Sequence, residues 1–276
     1  MVFKYSITLS SFRNIESLEQ TLERLVKQGY DAVDMFGDPD NIDLKSLKDT
    51  FQSFDIPVAG VTGIWGSIDS DGRKRRLLIS EPSIVTSSQK YVQQCIDMCY
   101  SLGGEKINIC LFVDEELVTL DRNHNLISED QKAPIIQKAI PILSKLSRFA
   151  KERGIQVLLE PLNRYSTPYC TTANDAVCIA EQINQDNFGI LLDTFHMNIE
   201  EDSFEHAILR SAGLLRHIHF ADNNRKMPGY GHIDFQSIVK SLRNIGYNQY
   251  ICFEPILTVG YESVAIKNGL EFIKAI

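Results

Sequence analysis

The chain runs to 276 residues, 43% apolar and 23% charged, with a formal net charge of −8. Such a composition is that of an ordinary globular protein, and the length falls within the range of one α/β barrel. The acidic balance argues against a nucleic-acid partner, which needs a cationic face for phosphate, and no apolar run approaches the ~18 residues of a membrane span.

The N-terminal MVFKYSITLSSF has neither the basic start nor the long apolar core of a secretion signal, so a cytoplasmic location is expected. Within it, YSITLSS (5–11) reads as the first strand. SLEQTLERLVKQG (17–29) follows as a helix: Leu18, Leu22, Leu25 and Val26 share one face, and Gly29 supplies the stop. YDAVDMF (30–36) and VAGVTGIW (58–65) are the second and third strands. DGRKRR then gathers Arg73, Lys74, Arg75 and Arg76; a solvated loop or helix start is expected there, with a phosphate contact as the alternative. SSQKYVQQCIDMCYSLGG (87–104) is helical, KINICLFV (106–113) is the fourth strand, and PIIQKAIPILSKLSRFAKERG (134–154) is the next helix. IQVLLEPL (155–162), FGILLDTF (188–195) and LRHIHFAD (215–222) are strands five to seven. The helix DFQSIVKSLRNIGY (234–247) opens on Asp234, suited to capping its first turn. QYICFEPI (249–256) is the eighth strand, and YESVAIKNGLEFIKAI (261–276) closes the chain as a helix.

Several strands begin within a few residues of the glycine that ends the preceding helix, the short connection of a wound parallel sheet. Eight strands alternating with about eight helices predict an α/β fold, a (β/α)8 TIM barrel, with residues 1–276 as a single domain. The rival, an open doubly wound sheet, usually carries a glycine-rich loop after its first strand; here Arg13, Asn14 and Ile15 follow instead. Six cysteines stand at 95, 99, 110, 170, 178 and 252 without a C-x-x-C pair, and buried free thiols are expected.

The last four strands each carry a metal-capable residue near the C-terminal end: Glu160, Asp193, His219 and Glu254. They are separated by 33, 26 and 35 residues, close to one βα unit each time. In a parallel barrel such ends lie side by side at one mouth. An ionised carboxylate in a strand buried on both faces is costly unless it is paired. A shared cation removes that cost, and three carboxylates with one imidazole suit Mn²⁺, Co²⁺ or Mg²⁺ better than structural zinc.

The segments EPLNRY, LLDTFHMNIEE, HIHFADNNR, PGYGHIDF and FEP, between 155 and 255, resemble the xylose-isomerase-like TIM-barrel superfamily of sugar (phosphate) isomerases and epimerases. Within it the likeness is greatest to the D-tagatose 3-epimerase and D-psicose 3-epimerase group. The resemblance implies one divalent metal, Mn²⁺ first, held by Glu160, Asp193, His219 and Glu254. It implies that His196 and Arg225 hold substrate oxygens, and that Glu160 and Glu254 act as the acid/base pair on a small sugar through a cis-enediolate. Positive charge at His196 and Arg225 is expected to support that charge development. A homodimer or homotetramer is the implied assembly. One position departs: Tyr165 is followed by Ser166, where these 3-epimerases often place a second acid against the substrate.

Other readings share the enediolate: an aldose–ketose isomerase, a 3-keto-sugar 2-epimerase, or a lyase or dehydratase. A non-catalytic sugar-binding barrel is the reading from another class. Phosphodiester hydrolysis of the apurinic-endonuclease type is disfavoured by six histidines and the acidic charge. Among single residues, Trp65 is a candidate wall of the sugar pocket and Asn163 a substrate contact. Asn163 and Arg164 are also candidates to orient Glu160 or pin its loop. His217 is either a partner below the metal or barrel filling. Asp34, Cys110 and Phe112 are candidate lining residues. His232 belongs to a glycine turn, and His124 and His206 are expected at the surface.

Overall fold

The computed structural model describes residues 3–13, 15–63, 75–112 and 127–276. Eight parallel strands close into a barrel in sequence order, with β8 paired to β1. They are β1 (Lys4–Thr8), β2 (Ala32–Phe36), β3 (Val58–Thr62), β4 (Lys106–Ile109), β5 (Gln156–Leu159), β6 (Phe188–Asp193), β7 (Leu215–Phe220) and β8 (Tyr250–Phe253). This is the barrel that the alternating pattern predicts. The described helices are α1 (Leu18–Gln28), α2 (Leu44–Ser53), α3 (Pro82–Ser101), α4 (Glu129–Lys151), α5 (Ala173–Ile183), α6 (Thr194–Glu200), α7 (Phe204–Ser211), α8 (Phe235–Asn244) and α9 (Glu262–Lys274).

The strands are shorter than the apolar runs that announce them, and proline explains the two that matter most. Pro161 and Pro255 have no N–H to give a ladder. β5 and β8 therefore stop at Leu159 and Phe253, which leaves Glu160 and Glu254 as the first residues of the rim. Each is still tied back by its own N–H, Glu160 to the carbonyl of Ile109 at 3.0 Å and Glu254 to that of Phe220 at 3.1 Å. The first run also ends early: Leu9–Phe12 winds into a 3-10 turn rather than extending β1.

Helix starts follow their caps. Ser17 and Gln20 form a capping box on α1, and Gly29 closes it with φ 78°, a region glycine enters freely. Ser128 and Gln131 cap α4, which starts before Pro134 rather than at it. Pro82 sits in the first turn of α3, where its missing N–H costs nothing, so that helix begins ahead of Ser87. Asp234 caps α8 as expected, accepting from the Ser237 N–H at 3.1 Å.

Alternation along the strands sends one set of side chains outward to the helices and the other into the barrel. The outward set, with Ile7, Val33, Ile107 and Ile190 at 0% exposure, joins the helix faces in one apolar core. The inward set includes buried polar groups: Ser6, Asp34, Lys106 and His217. Five of the six cysteines are buried, while Cys178 on α5 is exposed, against the expectation of six buried thiols. The basic cluster is not wholly solvated either. Arg76 is buried with its guanidinium 5.5 Å from the Phe112 ring centre, and Arg75 lies 4.8 Å over Tyr91. Arg73 and Lys74 fall outside the described residues.

Candidate active site

Four neighbouring strands deliver four side chains to one point. Glu160 leaves β5, Asp193 ends β6, His219 is the penultimate residue of β7, and Glu254 leaves β8. All are buried, and one ligand-capable atom from each lies within 4.8 Å of the others. The register explains the convergence: Asp193 is the partner of His219 across β6 and β7.

Two cationic groups are bonded to this set. Arg225 donates from its two terminal nitrogens to Asp193 Oδ2 and Glu254 Oε2, both at 2.5 Å, and its guanidinium lies 4.8 Å over the Phe195 ring. His219 Nδ1 lies 2.9 Å from Glu254 Oε2. Burial opposes the charge on His219, but Glu254, Glu160 and Asp193 outweigh it and raise its pKa to about 9. Burial likewise pushes Glu254 up, yet Arg225 and His219 hold it well below the usual carboxylate range.

Three carboxylates thus face two cations, and the uncompensated charge falls on Glu160. It accepts from Asn108 Nδ2 at 2.7 Å and from the Cys110 thiol at 3.5 Å, but its Oε1 has no hydrogen-bond partner among the described residues. Burial, with Glu254 and Asp193 close by, raises its pKa to about 7. A buried, oxygen-rich set that is one positive charge short fits a hard divalent cation.

His196 and Asn163 line the wall above. The Asn163 backbone N–H and side-chain amide approach His196 Nδ1 at 3.0 and 2.9 Å. The Asn163 Oδ1 accepts from the Tyr165 N–H, which fixes the amide orientation. Nδ1 is therefore an acceptor, the ring is neutral, and its proton sits on Nε2, 4.0 Å from Asp193 Oδ2. Burial lowers the pKa of this ring to about 4. The expectation of positive charge at His196 is corrected: it is a neutral donor, and the cation on this wall is Arg225.

Arg164 does not touch Glu160. Its backbone N–H and guanidinium grip Glu200 at 2.7, 2.8 and 3.1 Å, which braces the β5 loop against the end of α6. His217 lies below the cluster, edge-on to His219 with ring centres 5.2 Å apart. Its Nε2 is 3.3 Å from Asp34, which also accepts from Ser6 at 2.6 Å. Asp34 thus fills the barrel beneath the site rather than lining the cavity, and Phe112 packs under Arg76. His206 and His232 are exposed; Trp65 and His124 lie outside the described residues.

Sequence reasoning missed Asn108, although it stands two residues before Cys110, so both face Glu160. It also missed Asp222. This buried carboxylate accepts from the N–H groups of Asn223, Gly229, Gly231 and Ile233 at 2.8–3.1 Å and folds the loop that carries Arg225. A Cβ on Gly231 would stand 2.1 Å from Asn223 Oδ1 and 2.2 Å from Asp222 Oδ1, so only glycine fits there. Arg225 itself has φ 59°.

Over the cluster opens a cavity of about 850 Å³. Asn163, Ser166, His196, Arg225 and Glu254 form one side; Ser10, Ser11, Arg13, Phe36 and Arg75 form the other. A cavity of about 950 Å³ at the opposite end, beside Phe188 and Leu214, touches none of the four converging residues. Among the described residues no helix is long and apolar enough to cross a membrane.

Residues 22–276 match the family model described as xylose isomerase-like TIM barrel. D-psicose 3-epimerase from Ruminiclostridium cellulolyticum is 28% identical over 243 residues, 87% of this chain and 78% of that one. 3-Dehydro-D-guloside 4-epimerase from Escherichia coli is 24% identical over 259 residues, 94% of this chain and 95% of that one. The crystal structure of 3-keto-D-glucoside 4-epimerase from E. coli, apo form, shares the fold with a TM-score of 0.85 at 22% identity, over the full length of both chains.

Proposed function

The chain belongs to the xylose isomerase-like TIM barrel family, and on that premise we propose that it is a divalent-metal-dependent carbohydrate epimerase. It inverts a carbon next to a carbonyl, as a ketose 3-epimerase does. The observation that carries this reading is the pair Glu160 and Glu254, buried carboxylates on β5 and β8 that share one cluster with Asp193 and His219.

Epimerisation needs a base on one face of the carbon and an acid on the other. Environments that push two carboxyl groups apart in pKa assign those roles. Arg225 and His219 keep Glu254 ionised, ready to accept the proton. In the metal-free chain burial raises the Glu160 pKa to about 7, which suits this residue to the proton-returning role on the other side. The reverse reaction exchanges the roles. The Arg225 guanidinium and the Nε2–H of His196 face the oxygens on which negative charge develops, and fixed donors of this kind stabilise such charge. Glu160, Asp193, His219 and Glu254 would hold the cation, with Mn²⁺ the first to test and Co²⁺ and Mg²⁺ next; when bound it supplies Lewis-acid polarisation of the carbonyl.

A second reading within the same chemistry, a 3-keto-glycoside epimerase, is favoured by Ser166. It occupies the position where ketose 3-epimerases often carry an acid, and a relative named for a 3-dehydro-glycoside spans nearly the whole chain. The test is incubation of Mn²⁺-loaded protein with free ketoses and 3-keto-glycosides in D₂O, read by NMR. Deuterium at C3 of a ketose is the expected result, and deuterium at C4 of a 3-keto-glycoside selects the second reading. Deuterium at C1 or C2 alone points to aldose–ketose isomerisation or 2-epimerisation, and no uptake from any sugar removes the enzymatic proposal.

A further inference from the structure

The side of the cavity facing away from the acidic cluster has a chemistry that a neutral sugar does not use. Arg13 and Arg75 both line it, with the hydroxyl-bearing Ser10 and Ser11 beside them. The Arg13 guanidinium lies over Phe36, 4.1 Å from the ring centre, and that of Arg75 over Tyr91 at 4.8 Å. Stacking of this kind holds a guanidinium in place and leaves its edge of N–H donors open.

Neither arginine has a carboxylate at hydrogen-bond distance among the described residues, and Arg13 keeps one looser ion pair, to Asp38. Asp38 stands 3.7 Å from Arg13, too far for a hydrogen bond, and accepts from the Asn41 amide at 2.8 Å. The Arg13 side chain stays 54% exposed. Arg75 has no carboxylate within ion-pair distance among the described residues. Across the cavity Arg225 has its charge taken up by Asp193 and Glu254, and the β5 loop contributes Ser166 rather than an acid. The only acid in the described lining is Glu254, already bonded to Arg225 and His219. The outer cavity is therefore cationic inside a chain whose net charge is −8, a reversal of sign that recruits anions.

Resting on the epimerase reading above, we infer that the substrate is an anionic sugar. A carboxylate or phosphate remote from the reacting carbon seats between Arg13 and Arg75, with the Ser10 hydroxyl beside them; the Ser11 hydroxyl already donates to the Pro255 carbonyl at 2.6 Å. Arginine forks match both oxyanions. The sugar then spans the mouth, its charged end on the β1–β3 side and its carbonyl end over Glu160 and Glu254.

Three probes that share one skeleton test this: D-fructose, D-fructuronate and D-fructose 6-phosphate, each titrated calorimetrically into Mn²⁺-loaded protein at low salt. At least one anionic probe is expected to bind about tenfold or more tightly than fructose, the scale of one charge-assisted hydrogen bond. A larger gain for fructuronate assigns a carboxylate, and a larger gain for the phosphate assigns a phosphate. In the R13A/R75A double variant the ratio of anionic to neutral affinity is expected to fall toward one, and in R13K/R75K to recover in part. Equal affinity for all three probes, or a preference that survives in R13A/R75A, overturns the inference. Deuterium uptake from D₂O, measured on the same samples, reports on the epimerase reading by itself. Uptake with equal affinities removes only the anionic substrate, whereas no uptake removes the parent reading. Circular dichroism melting of both double variants confirms that they are folded.

Discussion

From β5 to β8 the rim of the barrel carries buried side chains bonded to one another; from β1 to β3 it carries half-exposed ones held by stacking. On the first side Arg225 ties Asp193 to Glu254, Asn108 holds Glu160, and Asp222 folds the loop beneath Arg225. On the second, Arg13 and Arg75 lean on aromatic rings at cavity level. A group that must move a proton needs a fixed position and a dry setting, because both its geometry and its pKa depend on them. A group that only recognises a distant substituent needs reach and charge. On the proposed reading, one mouth divides chemistry from selection between opposite arcs of strands.

The strongest way to break this division is to neutralise an acid. Glu254→Gln and Glu160→Gln are each expected to lower kcat/KM by about 10²- to 10⁴-fold, read as the rate of deuterium uptake. A loss below about tenfold at either position would erase the contrast with the arginine side. Arg225→Ala leaves Asp193 and Glu254 without their shared partner, and a buried pair broken on one side costs about 3–5 kcal/mol. Chemical denaturation of metal-free protein should show that loss, and Mn²⁺ should restore more stability to the variant than to the parent.

Acidity gives a third probe of the same arc. Glu160 holds its proton to a higher pH in the folded chain than in the unfolded one, with a pKa raised from 4.5 to about 7. Its contribution to the stability of metal-free protein is full below about 4.5 and fades as pH rises through about 7. His196 and His217 run the other way: with pKa values lowered to about 4 by burial, they stabilise above 6.5 and cease to do so as pH falls through 4. Melting temperature against pH for parent and Glu160→Gln should therefore diverge between about pH 5 and 7, the parent losing stability relative to the variant. Parallel curves would show that Glu160 is not the group carrying the uncompensated charge. The smallest expected effect belongs to the loop. Gly231→Ala places a methyl against Asp222 and Asn223 and should cost about 1–3 kcal/mol by denaturation, with a further loss of Mn²⁺ affinity as Arg225 shifts.

Much of the chemical arc was legible in the sequence because parallel strands place like positions side by side. Four metal-capable residues one βα unit apart could only meet at one mouth, and Glu-Pro at two strand ends marked where the ladder stops. The supporting contacts were not legible. Asn108 reads as one polar residue in an apolar run, and its bond to Glu160 spans 52 positions. Arg164 sits beside the acids in sequence, yet its partner Glu200 is set by the angle at which α6 leaves β6. The charge state of His196 depended on which group approaches Nδ1, and no local pattern encodes that. Short helices were also hidden: Asp193 ends β6 and caps α6 at once, so no loop separates them.

The backbone at Arg225 has one more implication. A residue with a side chain held at φ 59° lies about 1–2 kcal/mol uphill of its ordinary conformation. The direction in which the side chain leaves the main chain is thus set by the loop, and Asp193 and Glu254 fix the guanidinium at its far end. Lysine at 225 would keep the charge yet reach only one acid at a time, and glycine would relax the turn while removing the arm it points.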